Sequence, residues 1–228
     1  MSGALVSVVM PAFDEESFIA EALRSVLAQT YRPVEIIVVD DGSSDRTAEI
    51  ATEHAVRVCR RPHGGPAAAR NAGLAVARGA YWAIFDADDV MPPQRLSHQV
   101  AYLDEHPEAG MVLGLAEAFV TPGEPRPAHF NPVWGDGPYR GHWGTMLARR
   151  SVLDVVGPFN DALALGEDVE WMARANDAGV HPGQLDQVCL RYRIHRGQTS
   201  SDPRANRLAT LKVLRASVHR RRQGAADE

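Results

Sequence analysis

A chain of 228 residues, 45% of them apolar, is long enough to bury one substantial core and short for two, so a single domain spanning residues 1–228 is expected. Its 24 basic and 29 acidic side chains give a formal net charge of -5, which supplies no whole-chain positive footprint for a phosphate backbone and argues against nucleic acid as a partner. The two cysteines, Cys59 and Cys189, stand far apart without a CxxC companion, so neither a disulfide framework nor a zinc knuckle is expected.

Residues 1–10 lack the charged and apolar regions of a signal peptide, and no later run approaches bilayer-spanning length, so a soluble, cytoplasmic protein is the expectation. In the first half, short β-branched runs alternate with helix-like segments. That order predicts the α/β class, with helices flanking a mainly parallel central sheet. Val6–Met10 reads as a strand stopped by Pro11. Phe18, Ile19, Ala22, Leu23, Val26 and Leu27 recur at helical spacing, predicting a helix over Ser17–Gln29 with Ser17 as its cap. Val34–Asp40 is the second strand, followed by a helix capped by Ser44 or Asp45 and running to about Glu53. Val56–Cys59 is a short strand, and Gly64-Gly65-Pro66 opens a helix that ends near Arg78-Gly79. Tyr81–Phe85 is a fourth strand, and it ends in acids.

Beyond Pro92-Pro93 the pattern predicts a helix to about Glu105, a strand in Gly110–Val120, and a Pro/Gly-rich loop from Thr121 to Gly141. Thr145–Arg149 reads as a strand, Ser151–Val156 and Glu167–Ala178 as helices, Gln187–His195 as a last strand, and Arg204–Arg222 as a terminal helix before a short tail.

Two acidic clusters follow strands directly. In Asp86-Ala87-Asp88-Asp89 the alternation of an extended chain lets Asp86 and Asp88 share one side while Ala87 faces the other. Two carboxylates so close repel unless a cation lies between them, and oxygen ligands suit Mn²⁺ or Mg²⁺; the alternative is a polar turn whose aspartates cap the next helix. In Asp40-Asp41-Gly42-Ser43-Ser44-Asp45 a carboxylate can accept a proton from a base, and Gly42 lets the backbone pass closely under a ligand. Taken alone, this too is an ordinary strand-to-helix turn.

Four segments in this order and spacing resemble the family 2 glycosyltransferases of GT-A fold over roughly residues 5 to 200. They are Val8-Val9-Met10-Pro11-Ala12-Phe13-Asp14-Glu15-Glu16, Val38-Val39-Asp40-Asp41-Gly42-Ser43-Ser44-Asp45, Ala69-Arg70-Asn71-Ala72-Gly73 and Phe85-Asp86-Ala87-Asp88-Asp89. The resemblance implies an inverting transfer from a nucleotide-diphosphate sugar, with a nucleotide-binding half to about residue 110, an acceptor and catalytic half over about 111–200, and a terminal helix with its tail over 201–228. It assigns Pro11, Phe13 and Asp41 to the border of the nucleobase and Arg70 to the nucleotide pocket. Asp86 and Ala87 fall beside the ribose or sugar, and Asp88 holds a divalent metal at the diphosphate. A structural helix arginine is the alternative for Arg70.

Leu165-Gly166-Glu167-Asp168, behind Val156-Gly157-Pro158-Phe159-Asn160, looks like the family's catalytic acidic pair. It makes Asp168 the base that takes the acceptor's proton; acids that complement a helix N-terminus are the alternative. His195, ahead of Thr199-Ser200-Ser201, resembles a C-terminal metal or diphosphate contact, or else is a structural histidine. Asp14 stands where the family commonly has asparagine, as does His63, which leaves the donor nucleotide, UDP or GDP, open.

The QxxRW motif of processive members is missing, which favours single addition. Trp134, Tyr139, His142 and Trp143 are candidates for stacking on a sugar or acceptor, with core packing as the alternative, and the basic end at Arg215, His219 and Arg220–Arg222 for touching an anionic membrane, with a solvated helix terminus as the alternative. The competing function is a nucleotide-sugar-binding or scaffold module of the same fold that does not turn its ligand over.

Overall fold

The computed structural model describes residues 3–125, 137–195, 198 and 203–224. The elements are β1 (Val6–Ala12), α1 (Ile19–Leu27), β2 (Val34–Asp40), α2 (Thr47–Thr52), β3 (Arg57–Arg60), α3 (Pro66–Val76), β4 (Tyr81–Ile84), α4 (Arg95–Glu105), β5 (Met111–Phe119), β6 (Leu147–Arg149), α5 (Ser151–Val156), α6 (Glu167–Asp177), β7 (Pro182–Arg193) and α7 (Pro203–Gly224). Among the described residues seven strands form one sheet in the order β3-β2-β1-β4-β6-β5-β7. Pairing is parallel between β1 and β2, β1 and β4, β2 and β3, and β5 and β7; only β6 runs antiparallel to its neighbours.

The inner strands are apolar on both faces because both faces are covered, as parallel sheets with crossover helices require. Val8, Met10, Val38 and Ala83 point to the side packed by α1 and α4, through Ile19, Leu23, Leu96 and Leu103. Val9, Ile37, Val39 and Ile84 point to the side packed by α3, α5 and α6, through Leu74, Val152 and Trp171. Each Val, Ile, Leu or Met among them contributes about 1.5–3 kcal/mol when fully buried. Gly73 lets α3 lie directly on the sheet, since a Cβ there would meet Val9 and Val39.

Several boundaries differ from the sequence reading: β1 is not stopped by Pro11 but runs through it to Ala12, because Pro11 and Ala12 still pair with Val39 and Asp40. α1 begins at Ile19 with Phe18 before it and no side-chain cap; the entry is made by backbone, with the amides of Phe18 and Ile19 donating to the Glu15 carbonyl at 3.0 and 2.9 Å. Ser17 is therefore not the cap. The N-cap of α2 is Arg46 rather than Ser44 or Asp45, and Asp45, one residue before it, braces the entry with its Oδ1 accepting from the Thr47 amide at 2.8 Å. β7 starts at Pro182 rather than Gln187, because Pro182, Gly183 and Gln184 pair with Met111, Val112 and Leu113 in spite of their weak strand character.

Within the segment read as a loop, Tyr139 bridges Ala116 of β5. Trp134, Thr199, Ser200 and Ser201 lie outside the described residues. Among the described residues no helix is long and apolar enough to cross a membrane.

Parallel pairing of β1, β2 and β4 carries their C-terminal ends to one edge. Pro11 to Phe13 lie at the end of β1, and Asp41 and Asp86 to Asp88 follow the ends of β2 and β4, which is where open α/β sheets bind ligands.

Candidate active site

A cleft of about 760 Å³ opens at that edge, and Pro11, Phe13, Asp41, Arg70, Asp86, Ala87, Asp88 and Asp168 all line it. Its size suits a ligand of many atoms. One wall comes from the ends of β1, β2 and β4, and the other from the Asp161–Gly166 segment and the first turn of α6.

Phe13 is 43% exposed and stacks on His63 with ring centroids 4.2 Å apart. Asp41 is buried, and its carboxylate is already engaged: it accepts from the amides of Gly64 and Gly65, the latter at 2.8 Å, and pairs with Arg61 and His63. Asp41 thus fixes the loop that precedes α3 and borders the cleft. Asp14 has φ of 56°, a left-handed conformation that asparagine and aspartate tolerate better than most residues. Its Oδ1 accepts from the Ser44 amide at 2.7 Å, which ties the loop after β1 to the loop after β2.

Ala87 turns its methyl into the core, with 3% exposure, so Asp86 and Asp88 are the members of the acidic run that reach the cleft. Burial pushes Asp86 up to about 6; Arg70 opposes this, while Asp88, Asp168 and Glu167 add to it. That mutual influence marks Asp86, Asp88 and Asp168 as neighbours, although Asp168 comes from a distant helix.

Glu15 rises to about 8, through burial first and then the charges of Asp88, Asp86, Asp45 and Asp14. Asp89, at 1% exposure, lies behind the wall; burial raises its carboxyl well above the usual range even though the Arg193 amide donates to it at 2.8 Å. Arg193 also donates from Nε to the Asp88 carbonyl at 2.6 Å and from Nη2 to Glu21 at 2.6 Å. The end of β7 is thereby clamped to the acidic turn and to α1. Two residues on, His195 places Nε2 at 3.0 Å from Oδ2 of Asp88, set back from the cleft wall.

Arg70 is 6% exposed and pairs with Glu167, with Asp86 at 3.5 Å, under the Trp143 ring at 4.3 Å. It lines the cleft and joins α3 to α6. Trp143 packs there and against Phe159. His142 faces the cleft, its Nδ1 accepting from the Gly144 amide at 3.2 Å, and burial together with Arg95 lowers it to about 4. The imidazole is neutral and carries its proton on Nε2.

Glu15, Asp89 and Arg193 had no role in the sequence reading. Glu15 and Asp89 sat inside motifs already noted, whereas Arg193 carried no local signal.

Among the described residues no group of three or more His, Cys, Asp or Glu is arranged to hold a metal ion. Asp88 and His195 nevertheless offer two donors beside an excess of buried carboxylates, a donor set that suits a divalent cation completing its shell from substrate phosphates and water.

The curated relatives include the uncharacterised protein y4gI of Sinorhizobium fredii, 28% identical over 94% of this chain and 25% of that protein. The uncharacterised glycosyltransferase EpsJ of Bacillus subtilis is 41% identical over 42% of this chain and 30% of its own length. The chain spans about a quarter to a third of the length of the curated relatives heading the comparison.

Among solved structures, S. aureus TarS 1-349 in complex with UDP-GlcNAc superposes with a TM-score of 0.71 at 23% identity, covering 93% of this chain and 65% of that one. The mannosyltransferase PcManGT from Pyrobaculum calidifontis, in complex with GDP-Man and Mn2+, gives 0.62 at 23% identity over 84% of this chain and 57% of its own. These likenesses agree with the GT-A fold. The profile of glycosyl transferase family 2 matches residues 7–156, the stretch from β1 to α5 that includes the cleft wall made by the ends of β1, β2 and β4, and by that match the chain belongs to glycosyl transferase family 2.

Proposed function

We propose that this chain is an inverting, metal-dependent, single-addition glycosyltransferase that moves a sugar from UDP or GDP to a hydroxyl acceptor. The observation that carries the reading is the meeting of Asp86, Asp88 and Asp168 on one cleft. They come from the end of β4 and the start of α6, segments with no reason to converge on acids unless the acids are used. The nucleotide-sugar ligands of the fold neighbours TarS and PcManGT support the donor class.

In this reading Pro11 and Phe13 flank the base, with Phe13 free to stack. Asp41 holds the Gly64-Gly65 backbone in place beneath it. Asp86 accepts from a donor hydroxyl, and Arg70 keeps Asp86 aligned while neutralising Glu167. Asp88 and His195 would hold Mn²⁺ or Mg²⁺, and such an ion, when bound, neutralises charge growing on the leaving diphosphate. Asp168 takes the proton from the acceptor hydroxyl as its oxygen bonds to the anomeric carbon on the face opposite the departing nucleotide diphosphate. His142, neutral and with Nε2–H available, donates to an oxygen in the same space.

The test is to incubate the protein with UDP- and GDP-sugars and Mn²⁺ and to follow release of the nucleotide. Release expected from the wild-type protein should vanish in Asp168→Asn while donor binding survives. If release and binding are both unaltered in that variant, Asp168 is not the base. If no sugar nucleotide is turned over by the wild type although one binds, the chain is a binding module.

A further inference from the structure

We propose that the outward face of α7 is a docking surface for an anionic lipid bilayer. α7 is a 22-residue helix whose sequence carries Arg204, Arg207, Lys212, Arg215 and the run Arg220–Arg222 and not one aspartate or glutamate. All 29 acids of the chain lie elsewhere, so the molecule is electrically lopsided, with one basic helix on an otherwise acidic body.

The inner side of α7 is settled by its contacts. Val213 and Ser217 are buried at 4% and 5%. The Ser217 hydroxyl donates to Asp177 of α6 at 2.9 Å, and Ala209 sits where a Cβ on Gly166 would fall, at 3.1 Å.

Successive helical residues turn by about 100°, which puts Leu208, Leu211, Arg215 and Val218 on the opposite side in one stripe, flanked by Arg207 and Lys212. Leu208, Leu211 and Val218 are 61%, 44% and 51% exposed, and the three basic residues are exposed with them.

Exposed leucines framed by long cationic side chains are the pattern of a helix lying in a lipid interface, apolar groups entering the acyl boundary and cationic heads staying with the phosphates. Nucleic acid would account for the charge and leave the leucines unexplained. A second copy of α7 would set like charges against each other. An anionic surface attracts α7 and repels the acidic body, so the same charges that bind also orient. Because α7 meets the cleft rim at Gly166, docking brings that rim within about one helix diameter, roughly 10 Å, of the lipid.

The inference rests on the placement and charge of α7 and not on glycosyl transfer, so it stands or falls separately from the reading above. The full chain is sedimented with phosphatidylcholine vesicles and with mixed phosphatidylcholine–phosphatidylglycerol vesicles. Binding is expected to the mixed vesicles only, weakening with salt. Lys212→Gln with Arg215→Gln should weaken it about thirtyfold, and Leu208→Ser with Leu211→Ser about tenfold or more, with the circular dichroism of each variant unchanged. No sedimentation with the mixed vesicles at low salt, or binding that the leucine variants leave intact, overturns the proposal. So does retention on duplex DNA as strong as on lipid, or a dimer that the leucine variants dissolve when no vesicle binding occurs.

Discussion

Nε2 of His195 lies 3.0 Å from Oδ2 of Asp88, joining residues 107 positions apart beside the acidic turn that faces the cleft. The pair fixes the Asp88 carboxylate in orientation, which is what a group needs if it is to hold a cation with few other protein donors. Asp88→Ala is expected to weaken Mn²⁺-dependent binding of the donor by about 10–100-fold, and His195→Ala by no more than that range. Calorimetry with UDP- and GDP-sugars, with and without Mn²⁺, reads both. An Asp88→Ala protein that binds the wild-type protein's donor equally well in Mn²⁺ removes the metal from this site.

Arg70 stands between two acids, Glu167 and Asp86, with its guanidinium at 7% side-chain exposure and Glu167 at 8%. Removing one partner of a buried pair leaves the other uncompensated. Arg70→Met should therefore cost about 3–5 kcal/mol in urea unfolding, and adding Glu167→Gln to it should recover a large part. If the double variant is no more stable than Arg70→Met alone, the loss comes from packing against Trp143 and not from the stranded charge.

How far the fold and site were legible depends on whether the signal is local. β1, β2 and β4 could be read because they are short apolar runs, although β1 does not stop at Pro11 but pairs on through it to Ala12. Asp88 and Asp168 could be read because they sit inside recognisable segments. The start of α1 could not, since Phe18 has no polar side chain to announce a cap and the turn is closed by the Glu15 carbonyl. The first residues of β7 could not, since their strand state is imposed by pairing with β5. The clamp of Arg193 on Glu21 spans 172 positions, and nothing at either end of such a contact marks it in one sequence.

Gly73 belongs to a segment read as a motif, and the reason for its glycine lies in packing: a Cβ there would meet Val9 and stand 3.1 Å from Cγ2 of Val39. Alanine gains up to about 1 kcal/mol in helix propensity, while overpacking a core costs about 1–3 kcal/mol. Overpacking should win. Gly73→Ala is expected to destabilise the protein by about 1 kcal/mol or more in urea, with the donor site weakened as α3 and Arg70 are pushed from the sheet. A variant as stable as the wild type would mean that the Val9 rotamer gives way freely.

Glu15 makes stability depend on pH in a direction that can be worked out. Its carboxyl is pushed up to about 8 by burial and by Asp88, Asp86, Asp45 and Asp14, against an ordinary value of 4.5. Between those limits the unfolded chain has released a proton that the folded protein keeps. Raising the pH therefore favours the unfolded chain, and this contribution to stability is full below 4.5 and lost as pH rises through 8. His142 and Asp86, at about 4 and about 6, titrate lower, so the interval from about pH 7 to 8.5 isolates Glu15 among the three. Metal-free protein should show a falling Tm across that interval. Glu15→Gln, which cannot ionise, should flatten the fall and be the more stable protein at its upper end, and Mn²⁺ should raise the wild-type Tm most where the carboxylate is ionised. A Tm profile identical in the two proteins would mean that Glu15 is already ionised at neutral pH, with solvent or a counter-ion relieving the crowding.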